Sequence, residues 1–305
     1  MRAEALALLS LGIGACAGAD LIVGDGPAAV GGSINTLGFE APRVISELES
    51  EDVSDDDPSV TDDLLLLCFN SKRDAGIGKE DIWCSRRARS DEPWGAPEPQ
   101  VELNSEHRET GIALSLDGLS LWFSSDRDGE SSGLDVFSAT RQTRDSTWSE
   151  PARVVELSSQ DDDLVSAIDE SGERLMLARR MNRDDDDDED KDADDYDIFL
   201  AQRATPTAAW QRPAPVSELN TDAGESDAFL IGQGLALIFT RNDDLTLAQR
   251  TRLDAPFDHI ESFEVLNSEE RERDAWSNSA FDYVVFSSDR AGSFRLYESH
   301  RRSSR

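Results

Sequence analysis

The strongest constraint on this chain is a phrase that keeps returning. Glu-Leu-Asn or a close variant occurs with its leucine at Leu48, Leu103, Leu157, Leu219 and Leu266, at spacings of 55, 54, 62 and 47 residues. A period near 50 is the length of one four-stranded propeller blade. Each interval has the same internal order, cleanest in the second. Residues 110–116 alternate, and Asp117-Gly118 makes a tight turn. A second strand carries Leu121, Trp122 and Phe123, followed by the polar turn Ser125-Asp126-Arg127-Asp128-Gly129. Asp135-Val136-Phe137-Ser138 opens a third strand, and Trp148-Ser149-Glu150-Pro151 leads into a fourth over residues 152–157. Short alternating runs split by Gly, Asp and Ser clusters are antiparallel strands.

The other intervals match part by part. Phe123-Ser124-Ser125-Asp126-Arg127 returns around Phe69, Phe239 and Phe286, and the Trp-x-x-Pro lead returns at Trp94 and Trp210. The longest interval contains the acidic run 184–195, which reads as an insertion in one hairpin of the third blade. The last blade lacks a fourth strand, and residues 39–48 match the fourth-strand pattern. An N-terminal strand that completes the last blade closes the ring and removes the open sheet edge. The expected fold is therefore all-β: a single β-propeller of about five four-stranded blades over residues 39–300.

Phe123-Ser124-Ser125-Asp126-Arg127-Asp128-Gly129, followed by Leu134-Asp135-Val136-Phe137, resembles the WD-like β-propeller repeat of TolB-type envelope proteins. The match is strong at 115–138 and 281–297, fair at 64–84 and 164–200, and weak at 226–250. The resemblance implies a propeller and an envelope location, not a substrate. TolB proteins place a separate domain before the propeller, and nothing here matches it, so their partners do not carry over.

Residues 1–16 fit an export signal: Arg2, an apolar stretch over residues 5–13, then Ile13-Gly14-Ala15-Cys16. Small residues before a cysteine resemble a bacterial lipobox, which makes Cys16 the expected lipid attachment site. Residues 17–38 are rich in Gly and Ala and read as a flexible tether. The expected location is the periplasm or outer membrane, with the membrane touched only through the lipid.

The formal net charge of −34 disfavours nucleic acid and attracts cations and basic partners. No nucleophile elbow, phosphate-binding Gly loop or dinucleotide fingerprint is present. The three histidines, His107, His259 and His300, fall at non-equivalent repeat positions, so a His metal cluster is not expected. Five-bladed propellers can also be glycosidases that place carboxylates in the channel. The loops before each first strand are acidic, and Asp56, Glu109, Asp162, Asp227 and Asp274 are the candidates to ring the channel mouth. In the insert, Asp184, Asp186 and Asp188 are weak calcium candidates, because the run lacks the glycine an EF-hand loop requires. Cys68 and Cys84 face each other if their hairpin centres near Gly76, and a cross-strand disulfide and two free thiols are both open.

The reading that emerges is a non-enzymatic, monomeric propeller of the cell envelope that binds a protein or glycan and needs no cofactor. Two alternatives stand beside it: a glycan-active enzyme using channel carboxylates, and a calcium-dependent adhesion module.

Overall fold

A computed structural model of the chain describes residues 34–50, 53–129, 133–180 and 196–302, and the backbone of two paired segments, Leu21–Ile22 and Pro27–Ala28. Five four-stranded antiparallel sheets form the blades of a propeller. Their innermost strands are Asp55–Val60, Glu109–Leu114, Asp163–Ile168, Glu225–Ile231 and Glu272–Ser277, in blades 1 to 5. The second strands of blades 1, 2 and 5 are Leu66–Ser71, Ser120–Ser125 and Tyr283–Ser288. These are buried almost throughout, because each blade is sandwiched between two others. That is why they read as apolar runs rather than strict alternation.

Ring closure occurs as the repeat demands. The third strand of blade 5, Arg295–His300, pairs with Arg43–Val44, with Tyr297 opposite Val44 and Glu298 opposite Arg43. The propeller body begins earlier than expected. Ile34 is buried, and its amide is held by the Glu261 carboxylate of blade 4. Phe39 packs edge-on against Phe263 at 5.3 Å. Residues 34–38, read from the sequence as tether, thus clamp blade 4 to blade 5.

The fourth strands are shorter than the sequence suggested. In blade 2 the strand is only Ala152–Arg153, and the Glu-Leu-Asn phrase forms a turn. Its leucines are fully buried, and its asparagine replaces the missing ladder. Asn104 takes the Ile82 amide at 2.8 Å and donates to the Ile82 carbonyl at 3.1 Å. Asn220 does the same to Ile198, and Asn267 to Leu245. A side-chain amide copies a backbone peptide here, which fixes the residue type.

A second repeated device sits at the opposite end of the blades. Arg87, Arg141, Arg203 and Arg250 stack on Trp94, Trp148, Trp210 and Phe257, seven residues later, at 4.0, 4.1, 4.2 and 4.4 Å. Each Nε also donates to a backbone carbonyl of its own blade's first turn. The Trp-x-x-Pro lead is therefore half of a cation–π pair.

Cys68 and Cys84 are register partners on adjacent strands of blade 1 and are joined by a disulfide, with their Cα atoms 4.0 Å apart. Cys16 and Asp184, Asp186 and Asp188 lie outside the described residues. The acidic insert connects Arg180 to Tyr196, which are register partners.

Candidate functional site: the channel mouth

All five innermost strands begin at the same end of the channel, and all five carry an irregularity in pairing within their first four residues. This separates two sets of residues that the sequence could not distinguish.

The first residue of each strand is a buried acid: Asp55, Glu109, Asp163, Glu225 and Glu272. Each is consumed inside its own blade. Glu109 accepts from Ser125 Oγ and Arg127 Nη2, both at 2.9 Å, and from the amide and hydroxyl of Ser105 at 2.9 and 2.5 Å. Glu272 repeats this with Ser288, Arg290 and Ser268. Asp55 pairs with Arg73, Asp163 with Arg179 and Glu225 with Arg241, at 2.6, 2.7 and 2.8 Å. Arg73, Arg127, Arg241 and Arg290 go on to bond the carbonyls of Leu48, Leu103, Leu219 and Leu266, as Arg127 does at 2.6 Å. Glu109, expected at the channel mouth, is thus a fully buried structural residue.

The third residues of blades 1, 4 and 5, Asp57, Asp227 and Asp274, turn toward the axis, and Gly111 holds that place in blade 2. In blade 3 Val165 stays paired with Leu177 in the core, and Ser166 faces the axis instead. Asp57, Asp227 and Asp274 have φ of 52°, 53° and 57°, a left-handed conformation that Asp tolerates better than most residues. The bulge re-aims these side chains into the channel. Asp57 Oδ2 accepts from Thr110 Oγ1 at 2.8 Å and from the Gly111 amide at 2.7 Å, so blade 1 is tied to blade 2. The Asp57 amide donates to Asp274 Oδ2 at 3.4 Å, tying blade 1 to blade 5. Ser226 Oγ holds Asp227 at 2.8 Å.

Around these three carboxylates lies a shell of mixed charge. Arg273 pairs with Asp56 at 3.1 Å, approaches Asp274 at 3.5 Å and stacks on Phe294 at 3.7 Å. Glu80 accepts from Asn70 Nδ2 at 2.6 Å. Asp162 Oδ1 caps the Leu134 amide at 2.8 Å. Of the five acids expected at the mouth, Asp56, Asp227 and Asp274 are brought together, Asp162 caps a neighbouring loop, and Glu109 faces inward. The sequence reading did not single out Glu80, Arg273 or Tyr196, and it missed the role of Asp57.

Electrostatics mark the same spot. Burial, reinforced by the Asp227 and Asp56 charges, pushes the Asp57 carboxyl up to about 6. Burial, with Asp227 and Asp57, drives Asp274 well above the usual carboxylate range. Burial pushes Glu80 up to about 7, against the pull of Lys72. Tyr196 rises to about 12, chiefly by burial and then by Asp162. Asp57 and Asp274 line one cavity, and strongly shifted groups in a cavity are a reason to look there for function. The cavity bounded by Asp57, Asp227, Asp274, Ser166, Phe229 and Trp276 measures about 10 Å³, room for roughly one water. No group of three or more His, Cys, Asp or Glu among the described residues has metal-holding geometry.

No family model matches the sequence, and no curated protein matches it. Solved structures match the fold. A Dyadobacter fermentans protein of unknown function is similar at TM-score 0.52 and 11% identity, over 86% of this chain and 98% of that one. TolB from Acinetobacter baumannii is similar at TM-score 0.51 and 11% identity, over 85% of this chain and 56% of that one. An alpha-L-arabinofuranosidase from Lactobacillus brevis is similar at TM-score 0.50 and 11% identity, over 84% and 92%. The chain thus spans little more than half of the Acinetobacter protein. Likeness at this identity speaks to fold, and the fold is a five-bladed β-propeller with TolB-type proteins among its structural neighbours.

Proposed function

We propose that this chain is a non-catalytic binding propeller whose channel mouth grips a cationic group of a partner protein, a lysine or arginine side chain. The observation that carries this reading is the trio Asp57, Asp227 and Asp274, aimed at one point on the axis by left-handed backbone. Carboxyls raised by burial and then by neighbouring negative charge, as Asp57 and Asp274 are, gain when a cation arrives between them, and they release protons as it binds. The small free volume supports capture of a side-chain tip rather than a sugar ring. We further propose that the chain is exported and lipid-anchored at Cys16. The TolB-type neighbours and the signal-like N-terminus support an envelope location.

A tetralysine peptide is a suitable probe. The triple variant Asp57→Asn, Asp227→Asn, Asp274→Asn is expected to weaken its binding at least tenfold. A control triple of exposed residues, Asp91→Asn, Glu150→Gln and Asp254→Asn, removes the same charge and is expected to leave binding within about twofold. Equal weakening in both triples would reduce the attraction to net charge and sink the site.

A second reading has one observation in its favour. Burial and like charges raise the Asp274 carboxyl well above the usual carboxylate range while Asp57 is pushed up to about 6, a contrast that suits an acid and a base in glycoside hydrolysis. Turnover of aryl glycosides that vanishes in Asp274→Asn would favour this reading over the first.

A further inference from the structure

A second recess lies away from the channel, a groove of about 640 Å³ between the outer edges of blades 1 and 2, lined by Pro99, Val101, Trp148, Arg86, Arg141 and Arg144 among others. Three guanidiniums share one groove in a chain of formal net charge −34.

The internal repeat serves as a control. Arg141 belongs to the repeated arginine–aromatic device, but Arg86 and Arg144 do not. Arg86 stands where blades 2, 3 and 4 have Thr140, Gln202 and Gln249. Arg144 stands where blades 1, 3 and 4 have Ser90, Pro206 and Leu253. The equivalent recess between blades 2 and 3 is about 310 Å³ and contains Arg203 with Thr140 and Pro206 beside it. Of these two grooves, the first has received two additional cations and the second none.

Arg141 itself is left incomplete. It is 9% exposed, its Nε donates to the Gly118 carbonyl at 2.8 Å, and its plane lies on Trp148. Its Nη2 is buried without a hydrogen-bond partner among the described residues. A buried guanidinium N–H with nothing to donate to costs free energy, and an oxyanion is its natural acceptor. Burial, and then the charges of Arg86 and Arg144, pull the Arg141 guanidinium down to about 10, which an incoming anion would reverse. The flanking arginines are replaceably paired. Arg86 bonds Asp145, which is 92% exposed, and Arg144 bonds Asp63, which is 44% exposed. Such surface pairs are worth little and can yield to a ligand. Glu98 and Glu102 also line the groove, yet neither is among the strongest charges acting on Arg141, where Asp145 and Asp117 are the main anions.

We propose that the groove between blades 1 and 2 binds an organic oxyanion, a carboxylate or a phosphoryl group, whose oxygens complete Arg141 and are flanked by Arg86 and Arg144. Its volume exceeds that of a free ion, so the anion is the head of a larger ligand whose body lies along Pro99, Val101 and the Trp148 edge. This site is separate from the channel mouth and of opposite sign, so either can fail without the other.

The test uses the full chain at constant ionic strength, with inorganic phosphate and acetate as probes of the two head groups. Titration calorimetry is expected to show saturable binding of at least one probe at millimolar concentration. Which probe binds more tightly identifies the head group. The double variant Arg86→Gln, Arg144→Gln is expected to weaken that binding at least tenfold, and its melting temperature reads separately the loss of the bonds these side chains make to the Arg144 and Asp117 carbonyls. Arg203→Gln, in the equivalent groove, is expected to leave it unaltered. No saturable binding by the intact chain, or equal affinity in the double variant, would overturn the site.

Discussion

Two rings of carboxylates lie on the same five strands, two residues apart, and they are built in opposite ways. In the outer ring, Asp55, Glu109, Asp163, Glu225 and Glu272, every blade supplies an acid and every acid has an arginine. In the inner ring only three blades supply an acid, at Asp57, Asp227 and Asp274, and these crowd one another. The outer ring is a repeated structural part. The inner ring departs from the repeat and gathers charge without equal compensation. A fold built from copies teaches function this way, because what every copy shares holds the blades and what single copies add is free for a partner.

The sharpest way to break the comparison is to remove an outer-ring acid. Glu109→Ala leaves Arg127 and two serine hydroxyls facing a void. Removing one partner of a buried pair costs about 3–5 kcal/mol. Chemical denaturation is expected to read a loss of that size, with any binding at the mouth kept in the fraction that stays folded. A loss below about 1 kcal/mol would mean that the outer ring does not hold the blade.

Next in size is Gly111, the inner-ring position of blade 2. Its φ is +60°, and an added Cβ would lie 2.7 Å from the Val165 carbonyl oxygen of blade 3. A side chain cannot enter without moving backbone, which explains why this blade contributes no acid to the axis. Gly111→Ala is expected to cost about 2 kcal/mol, from left-handed strain and the close approach together. A neutral substitution would show that blades 2 and 3 can separate at the mouth.

How much of this was legible in the sequence follows from the same offset. The fold was readable because the repeat is spelled in residues with fixed jobs: the leucine that fills the blade, the asparagine that copies a peptide, the arginine that ties an acid to a carbonyl. The acids near the mouth were also visible, but their depth was not. Glu109 and Asp57 both precede or open a first strand, and only the bulge decides which faces the axis. A column-by-column alignment of the five repeats carries a usable signal. The outer-ring acid always travels with an arginine sixteen or eighteen residues later, whereas the inner-ring position alternates among Asp, Gly and Val with no companion. Arg273 and Glu80 gave no such signal, since each occurs in one blade and takes its meaning from a neighbour distant in sequence.

The smallest effect is the most diagnostic, because its sign is opposite. Burial pushes the Asp57 carboxyl up to about 6 in the folded chain, from an ordinary value of 3.8. A carboxyl raised by folding binds its proton more tightly in the native state. Its stabilising contribution is complete below pH 3.8 and is lost as pH rises through about 6. Glu80, raised from 4.5 to about 7, acts in the same direction over a slightly higher window. Wild-type protein is therefore expected to melt at a higher temperature at pH 5 than at pH 8. Asp57→Asn keeps an oxygen to accept from Gly111 and suits left-handed backbone, but it cannot ionise. It is expected to raise stability at pH 8 by about 1–2 kcal/mol, less than the full shift at about 1.4 kcal/mol per unit because a neutral amide accepts more weakly than a carboxylate, by roughly half as much at pH 5, where the unfolded carboxyl is already ionised, and to change little below pH 3.8. The variant should flatten the pH dependence of melting at the same time as it weakens capture of a cationic probe. If it destabilises the protein equally at both pH values, Asp57 belongs with the outer ring, and the distinction between the two rings fails at its most informative residue.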